Sequence, residues 1–373
     1  MPASRSLTSS ERDWLRVRRY LTEHRYGLAL DAAGDYPASA RVAGTPLLAA
    51  PGWQPAAPVP LPDVALELTP ALPTPALPTP AGPALDPALD TALLLPERPD
   101  GTRYRSYSET LRELAPPAVF ENRPTYRLTE VHLPRLAFTR GHYFDGVDTG
   151  EAAAHEYAAI RLGGRPAGLR ALDPCDLRRR PVNLAVSTLT LRFDQARGRA
   201  SFLLHWRDPA KVGHAGGLHQ VIPVGVFQPS DEIAWTWDFS LWRSMVREFA
   251  EELAGHSDDY GPGLVDYDTW PFARQMTAAL DQGRIRVWCL GLGTDPLTYA
   301  TDLLTVAVID SQVFDDLFSL RPRSNAEGTV LAAREFAARA IDHVVTREPV
   351  QAAGAAVLRL AWRHREALIG PGP

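Results

Sequence analysis

Residues 239–254, FSLWRSMVREFAEELA, decide how this chain is read. Trp242, Met245, Val246, Phe249 and Leu253 recur at helical spacing and form one apolar stripe. Glu248, Glu251 and Glu252 fall on an adjacent face, within about 100° of the helix circumference. Carboxylates this close repel one another unless a cation neutralises them, and hard oxygen donors select Mg²⁺ or Mn²⁺. Arg247 lies four residues before Glu251 and can orient it. A solvated acidic face built from good helix formers gives the same pattern, so spacing alone leaves both readings open.

Strand signals surround this helix. VNLAVSTLTLRF (182–193) alternates, ARGRASFLLHWRD (196–208) can return beside it through a polar turn, and HQVIPVGVFQP (219–229) supplies a third strand. RIRVWCLGLG (284–293) and DLLTVAVID (302–310) add two more, and the chain from Gly328 onward reads as mostly helical. Strands, a helix, strands and a helix again indicate an α/β or α+β sandwich rather than a bundle.

The N-terminal half is less regular. Residues 9–33 read as a helix capped by Ser9 or Ser10, whose Arg12, Arg16, Arg18 and Arg19 read as a solvated face; a nucleic-acid contact is the competing reading. Residues 51–99 contain ALPTPALPTPAGPALDPALD, a Pro-Ala repeat expected to be an extended, polyproline-like linker. Residues 126–138 look like a strand pair, and a helix should begin near Asp148. His142, Asp145, Asp148, Glu151 and His155 offer metal-ligand chemistry there, against the plainer reading of surface carboxylates and a satisfied histidine. The expected division is 1–50 a helical extension, 51–99 a linker, 100–181 an elaboration packed on the core, 182–345 the main domain and 346–373 a C-terminal helix.

Composition bounds the rest. The chain has 373 residues, 45% hydrophobic, with 39 basic and 44 acidic side chains. That is enough apolar content for a sizeable core, and the net charge of −5 argues against coating nucleic acid. No run approaches the roughly 20 apolar residues of a membrane span, and no secretory h-region is visible near the start. The two cysteines, Cys175 and Cys289, form no paired motif and suit a reducing cytosol. The expectation is a cytoplasmic protein, with neither membrane nor nucleic acid as partner. A homodimer is compatible with the sequence, which does not specify oligomeric state.

The segment Arg247-Glu248-Phe249-Ala250-Glu251-Glu252, in a helix following a strand, resembles the second half of the Nudix box, G-x5-E-x7-R-E-U-x-E-E-x-G-U. The likeness spans about residues 182–345. It implies a Nudix-like mixed-sheet α/β/α sandwich, Mg²⁺ (or Mn²⁺) held by Glu248, Glu251 and Glu252, and hydrolysis of a nucleoside diphosphate linked to another group. It also implies an arginine anchored by the first glutamate of the box. Here the box glycine would fall at Ile233 and that glutamate at Phe239, so Asp231, Glu232 and Asp238 are the candidates to replace it. Asp295 and Asp302 are candidates for a further carboxylate. His214, His219, Trp235 and Trp237 are candidates to contact a nucleotide-derived small molecule, although the plainer reading is that both tryptophans cover the core and each histidine is structural. The departures from the pattern keep a second reading open, a domain that binds such a metabolite without hydrolysing it in a regulatory protein. A DNA-binding regulator rests only on the basic 12–19 stretch.

Overall fold

The computed structural model describes residues 6–69, 91–117, 119–208, 216–256, 263–318, 323–324 and 328–370. Helix α1 (Ser9–Gly34) opens the chain. Its cap is Thr8 rather than Ser9 or Ser10: Glu11 N–H donates to Thr8 Oγ1 at 3.0 Å, and Thr8 N–H donates to the Glu11 carboxylate at 2.8 Å. Strands β1 (Val59–Pro60) and β2 (Ala65–Leu68) follow, then α2 (Tyr107–Leu114), β3 (Pro124–His132) and β4 (Arg135–His142). Helix α3 (Tyr143–Gly146) runs through a π turn at Val147–Glu151 into α4 (Ala152–Arg161).

The second half carries the main sheet. Its elements are β5 (Leu184–Asp194), β6 (Arg199–Phe202), β7 (His205–Arg207), β8 (His219–Gln220), β9 (Val224–Val226) and α5 (Leu241–Glu248), which continues as a π turn over Phe249–Ala254. After α6 (Pro271–Asp281) come β10 (Ile285–Thr294), β11 (Thr301–Asp310) and α7 (Ser311–Leu317). The chain ends with β12 (Arg323–Ser324), β13 (Gly328–Val330), β14 (Arg334–Glu335), α8 (Ala338–Arg347), α9 (Ala352–Arg363) and α10 (Arg365–Ile369).

The central sheet has the order β1-β10-β11-β5-β6-β14, with β9 also pairing β5. β11 runs parallel to β5 and the other pairings are antiparallel. Alternate side chains point to opposite faces. Leu184, Val186, Leu303, Ala307 and Ile309 pack with α5, α6 and α7. Leu189, Leu191, Leu304, Val306 and Val308 pack with α8 and α9. Because both faces are covered, β11 is apolar over most of its length and buried up to Ile309. The result is the mixed-sheet α/β/α sandwich expected from the sequence.

Two stretches differ from the sequence reading. Residues 51–69 are not a solvated linker: β1 extends the central sheet beside β10, and β2 pairs in parallel with β4. The Pro-Ala repeat itself lies within 70–90, outside the described residues. The β2-β4-β3 sheet joins the main body through Tyr126 N–H to Phe227 O (3.1 Å) and Leu128 N–H to Val182 O (2.9 Å). Its Tyr126, Leu128, Leu136 and Phe138 share one core with Met245 and Phe249 of the α5 segment. Residues 328–335, helical by composition, form β13 and β14 instead, since pairing with β7 and β6 outweighs local propensity. No helix of the described residues is long and apolar enough to cross a membrane.

Candidate functional site

Helix α5 begins at Ser240, whose Oγ accepts from Arg243 N–H at 3.3 Å. Leu241, Met245, Val246, Phe249 and Leu253 enter the core, fixing which way the polar face turns. Arg247 is buried with them. Its guanidinium donates to the Gln228 carbonyl at 2.6 Å and to the Tyr267 hydroxyl, and lies 3.3 Å from the Asp238 carboxylate. Asp238 is fully buried. It accepts from Ser230 N–H at 2.7 Å, Ser230 Oγ at 2.5 Å and Tyr267 Oη at 2.8 Å. Burial alone would depress the Arg247 pKa, but the facing Tyr267 and Asp238 more than offset it, so the guanidinium is held charged. Burial likewise raises the Tyr267 hydroxyl above its ordinary range, keeping it protonated and able to donate. Asp238, one residue before the expected position at Phe239, is therefore the carboxylate that anchors Arg247. Asp231 is spent on the Ile233 amide at 3.1 Å, and Glu232 on His142 at 3.4 Å.

Two of the three glutamates face β9. The Glu248 carboxylate occupies the place a side chain at residue 225 would take: a Cβ on Gly225 would lie 1.9 Å from its Cδ. Glu252 Oε1 accepts from Val224 N–H at 3.2 Å. Glu248 closes α5 and Glu252 lies in the π turn that follows, an irregularity that often marks functional helices. The three-carboxylate centre read from the sequence is not assembled: among the described residues no three His, Cys, Asp or Glu side chains group closely enough to hold a metal. A pair still fits Mg²⁺, which commonly takes one or two carboxylates and completes its octahedron with water and substrate phosphate. The Gly225 cradle leaves Glu248 room to face the strand.

The tryptophans cover the core and pin the loop before α5. Trp235 is buried edge-on to Tyr126, with ring centroids 5.5 Å apart, and its carbonyl accepts from Tyr126 Oη at 2.8 Å. Trp237 Nε1 donates to Val265 O at 2.8 Å, while Arg243 stacks 4.3 Å from its ring centre. His219 belongs to a different neighbourhood. Its amide donates to Pro349 O at 2.7 Å, its carbonyl accepts from Gln351 N–H at 2.9 Å, and its ring lies 3.7 Å from Glu348. His214 lies outside the described residues. Asp302 accepts from Ser187 Oγ at 2.7 Å, and strand alternation puts it on the face of Leu304 and Val306, away from α5. Asp295 accepts from the Leu297 and Thr298 amides, both at 2.9 Å, capping the β10–β11 turn.

The residues from His142 to His155 build a seam against α1. Glu151 accepts from Arg18 at 2.5 Å and from Arg25 at 2.9 and 3.1 Å. Arg18 is therefore a buried ion-pair partner, not part of a solvated basic face. His155 stacks on Trp14 at 5.1 Å, with Nδ1 3.3 Å from Tyr107 Oη, and burial pushes its pKa down to about 3. Asp148 accepts from Ser108 N–H at 2.6 Å, and Asp145 pairs with Arg127. Each polar group has a protein partner, so the satisfied reading prevails over a metal site.

No family model matches the chain, and no curated protein matches it. Among solved structures the chain is similar to a NUDIX hydrolase from Alicyclobacillus acidocaldarius, at 19% identity and a TM-score of 0.30, over 52% of this chain and 98% of that one.

Proposed function

We propose that the α5–β9 element is the active site of an Mg²⁺-dependent pyrophosphohydrolase acting on a nucleoside diphosphate linked to another group. The observation that carries this reading is the pairing of Glu248, cradled on Gly225, with Glu252, bonded to Val224, on a helix whose Arg247 is anchored by Asp238. Glu248 and Glu252 would hold the cation, with Glu251 adjacent in sequence. When bound, such an ion neutralises diphosphate charge and lowers the pKa of a coordinated water. Arg247 holds the helix so that the two carboxylates keep their aim. The buried Asp238–Tyr267 pair keeps water from that anchor. The products would be a nucleoside monophosphate and a phosphorylated remainder.

Incubation of the chain with nucleoside diphosphates of varied second group, in Mg²⁺ or Mn²⁺, tests this directly. Turnover that disappears in Glu248→Gln and Glu252→Gln, with the melting temperature retained, supports the site. Full metal-dependent activity in both variants would sink it.

A second reading, binding without hydrolysis, draws on no third carboxylate being gathered there among the described residues and on Asp295 and Asp302 being engaged elsewhere. It expects such a ligand to stabilise the fold by about 2.7 kcal/mol at a hundredfold excess over Kd, with no ligand consumed.

A further inference from the structure

We propose that Tyr267 is a positioning residue: its hydroxyl joins the Arg247–Asp238 pair so that the segments before and after α5 are pinned at one buried point, and this pin sets Glu252 and Glu248 on β9. The inference rests on the site reading given above. Two bonds converge on one hydroxyl. Tyr267 Oη donates to Asp238 Oδ1 at 2.8 Å and accepts from Arg247. Asp238 is tied to Ser230 through amide and hydroxyl. Arg247 reaches back to the Gln228 carbonyl.

The two segments are fastened a second time beside this point. Trp237 Nε1 donates to Val265 O at 2.8 Å, and Arg243 lies over both the Trp237 ring (4.3 Å) and the Tyr267 ring (5.0 Å). A helix is free to rotate about its axis only as far as its buried side chains permit. Arg247 directly precedes Glu248, so fixing the guanidinium fixes the azimuth of the next carboxylate. Glu252 follows one turn later, and a rotation of the helix would stretch its bond to the Val224 amide. Nothing at the box position Phe239 can do this, whereas Tyr267, nearly thirty residues on in sequence, can.

Tyr267→Phe removes only the hydroxyl. Ile341→Val, which trims a methyl from the core on the opposite face, serves as the control for general loosening. The readout is amide exchange of Val224 in ¹⁵N-valine-labelled protein, with Val306 and Val308 of β11 as internal references. Positioning predicts that Tyr267→Phe accelerates exchange at Val224 by at least about tenfold while Val306 and Val308 hold, and that Ile341→Val does not. Unchanged exchange at Val224, or equal acceleration at all three amides, overturns the proposal. Mn²⁺ titration separates this role from the catalytic reading. If exchange accelerates as expected and the unsubstituted chain binds no Mn²⁺, the positioning role stands and the catalytic reading falls.

Discussion

Asp238 and Arg247 form an ion pair 3.3 Å apart whose side chains are 0% and 5% exposed. Solvent cannot screen them, and each leaves an uncompensated charge if the other is removed. Asp238→Asn is therefore expected to cost about 3–5 kcal/mol, the range for breaking a buried pair from one side. Replacing Arg247 as well, by Met, should recover part of that loss. Urea unfolding of the three proteins measures it, and a cost below about 1 kcal/mol would mean the anchor is not structural.

Gly225 leaves the Glu248 carboxylate no room to share. Gly225→Ala should push Glu248 off the strand, at about 1–3 kcal/mol of overpacking, and abolish Mn²⁺ binding. Gly27→Ala is the contrast, since nothing lies within 4 Å of its Cβ position and helix propensity there favours alanine by about 1 kcal/mol. Melting temperature and Mn²⁺ titration read both effects. Undiminished Mn²⁺ affinity in Gly225→Ala would remove Glu248 from the site.

Glu151 holds Arg18 and Arg25 together in the α1–α4 seam. Glu151→Gln leaves two buried guanidinium groups without their countercharge, for a cost of about 3–5 kcal/mol. Because the seam is what fastens α1, trypsin should cut first at Arg12, Arg16 or Arg19 in the variant. Cleavage that begins elsewhere, with α1 still protected, would contradict this.

His155 makes the seam acid-sensitive. Its pKa is about 3 in the fold, against 6.5 when exposed. Between those values the unfolded chain binds a proton that the native chain does not, so stability rises with pH through this window and is fully present above it. Acidification should cost up to about 1.4 kcal/mol per pH unit below 6.5 from this group. His155→Phe removes that dependence while keeping a ring against Trp14. Urea midpoints at about pH 7 and about pH 5 in both proteins test it; equal losses in the two would exclude His155 as the source.

The strongly patterned parts of this fold were legible in the sequence. Alternation in β5 and the largely apolar run of β11 are consequences of burying one or both faces of a sheet, and the stripe from Trp242 to Leu253 follows from one helix lying on it. What was not legible depended on long-range pairing. Val59 and Pro60 carry no strand signal of their own; they are strand because Cys289 and Trp288 accept them as neighbours. Asp238 was among three candidates, and only burial distinguished it from Asp231 and Glu232. Tyr267 had no local signal, since its role lies in a hydroxyl meeting two residues from another segment. The cluster from His142 to His155 looked like ligands because spacing cannot show that Arg18 and Arg25 arrive from α1.

The pairing of β1 with β10 has one more consequence. The two residues Val59 and Pro60 cap the outer edge of the central sheet, and Pro60 lacks the amide that would invite another strand. A fragment beginning at Val182 would keep the box-like helix and most of the sheet yet leave the backbone of β10 bare along that side. Such a piece should self-associate through its raw edge, so the early part of the chain acts as a built-in guard against aggregation for the later part.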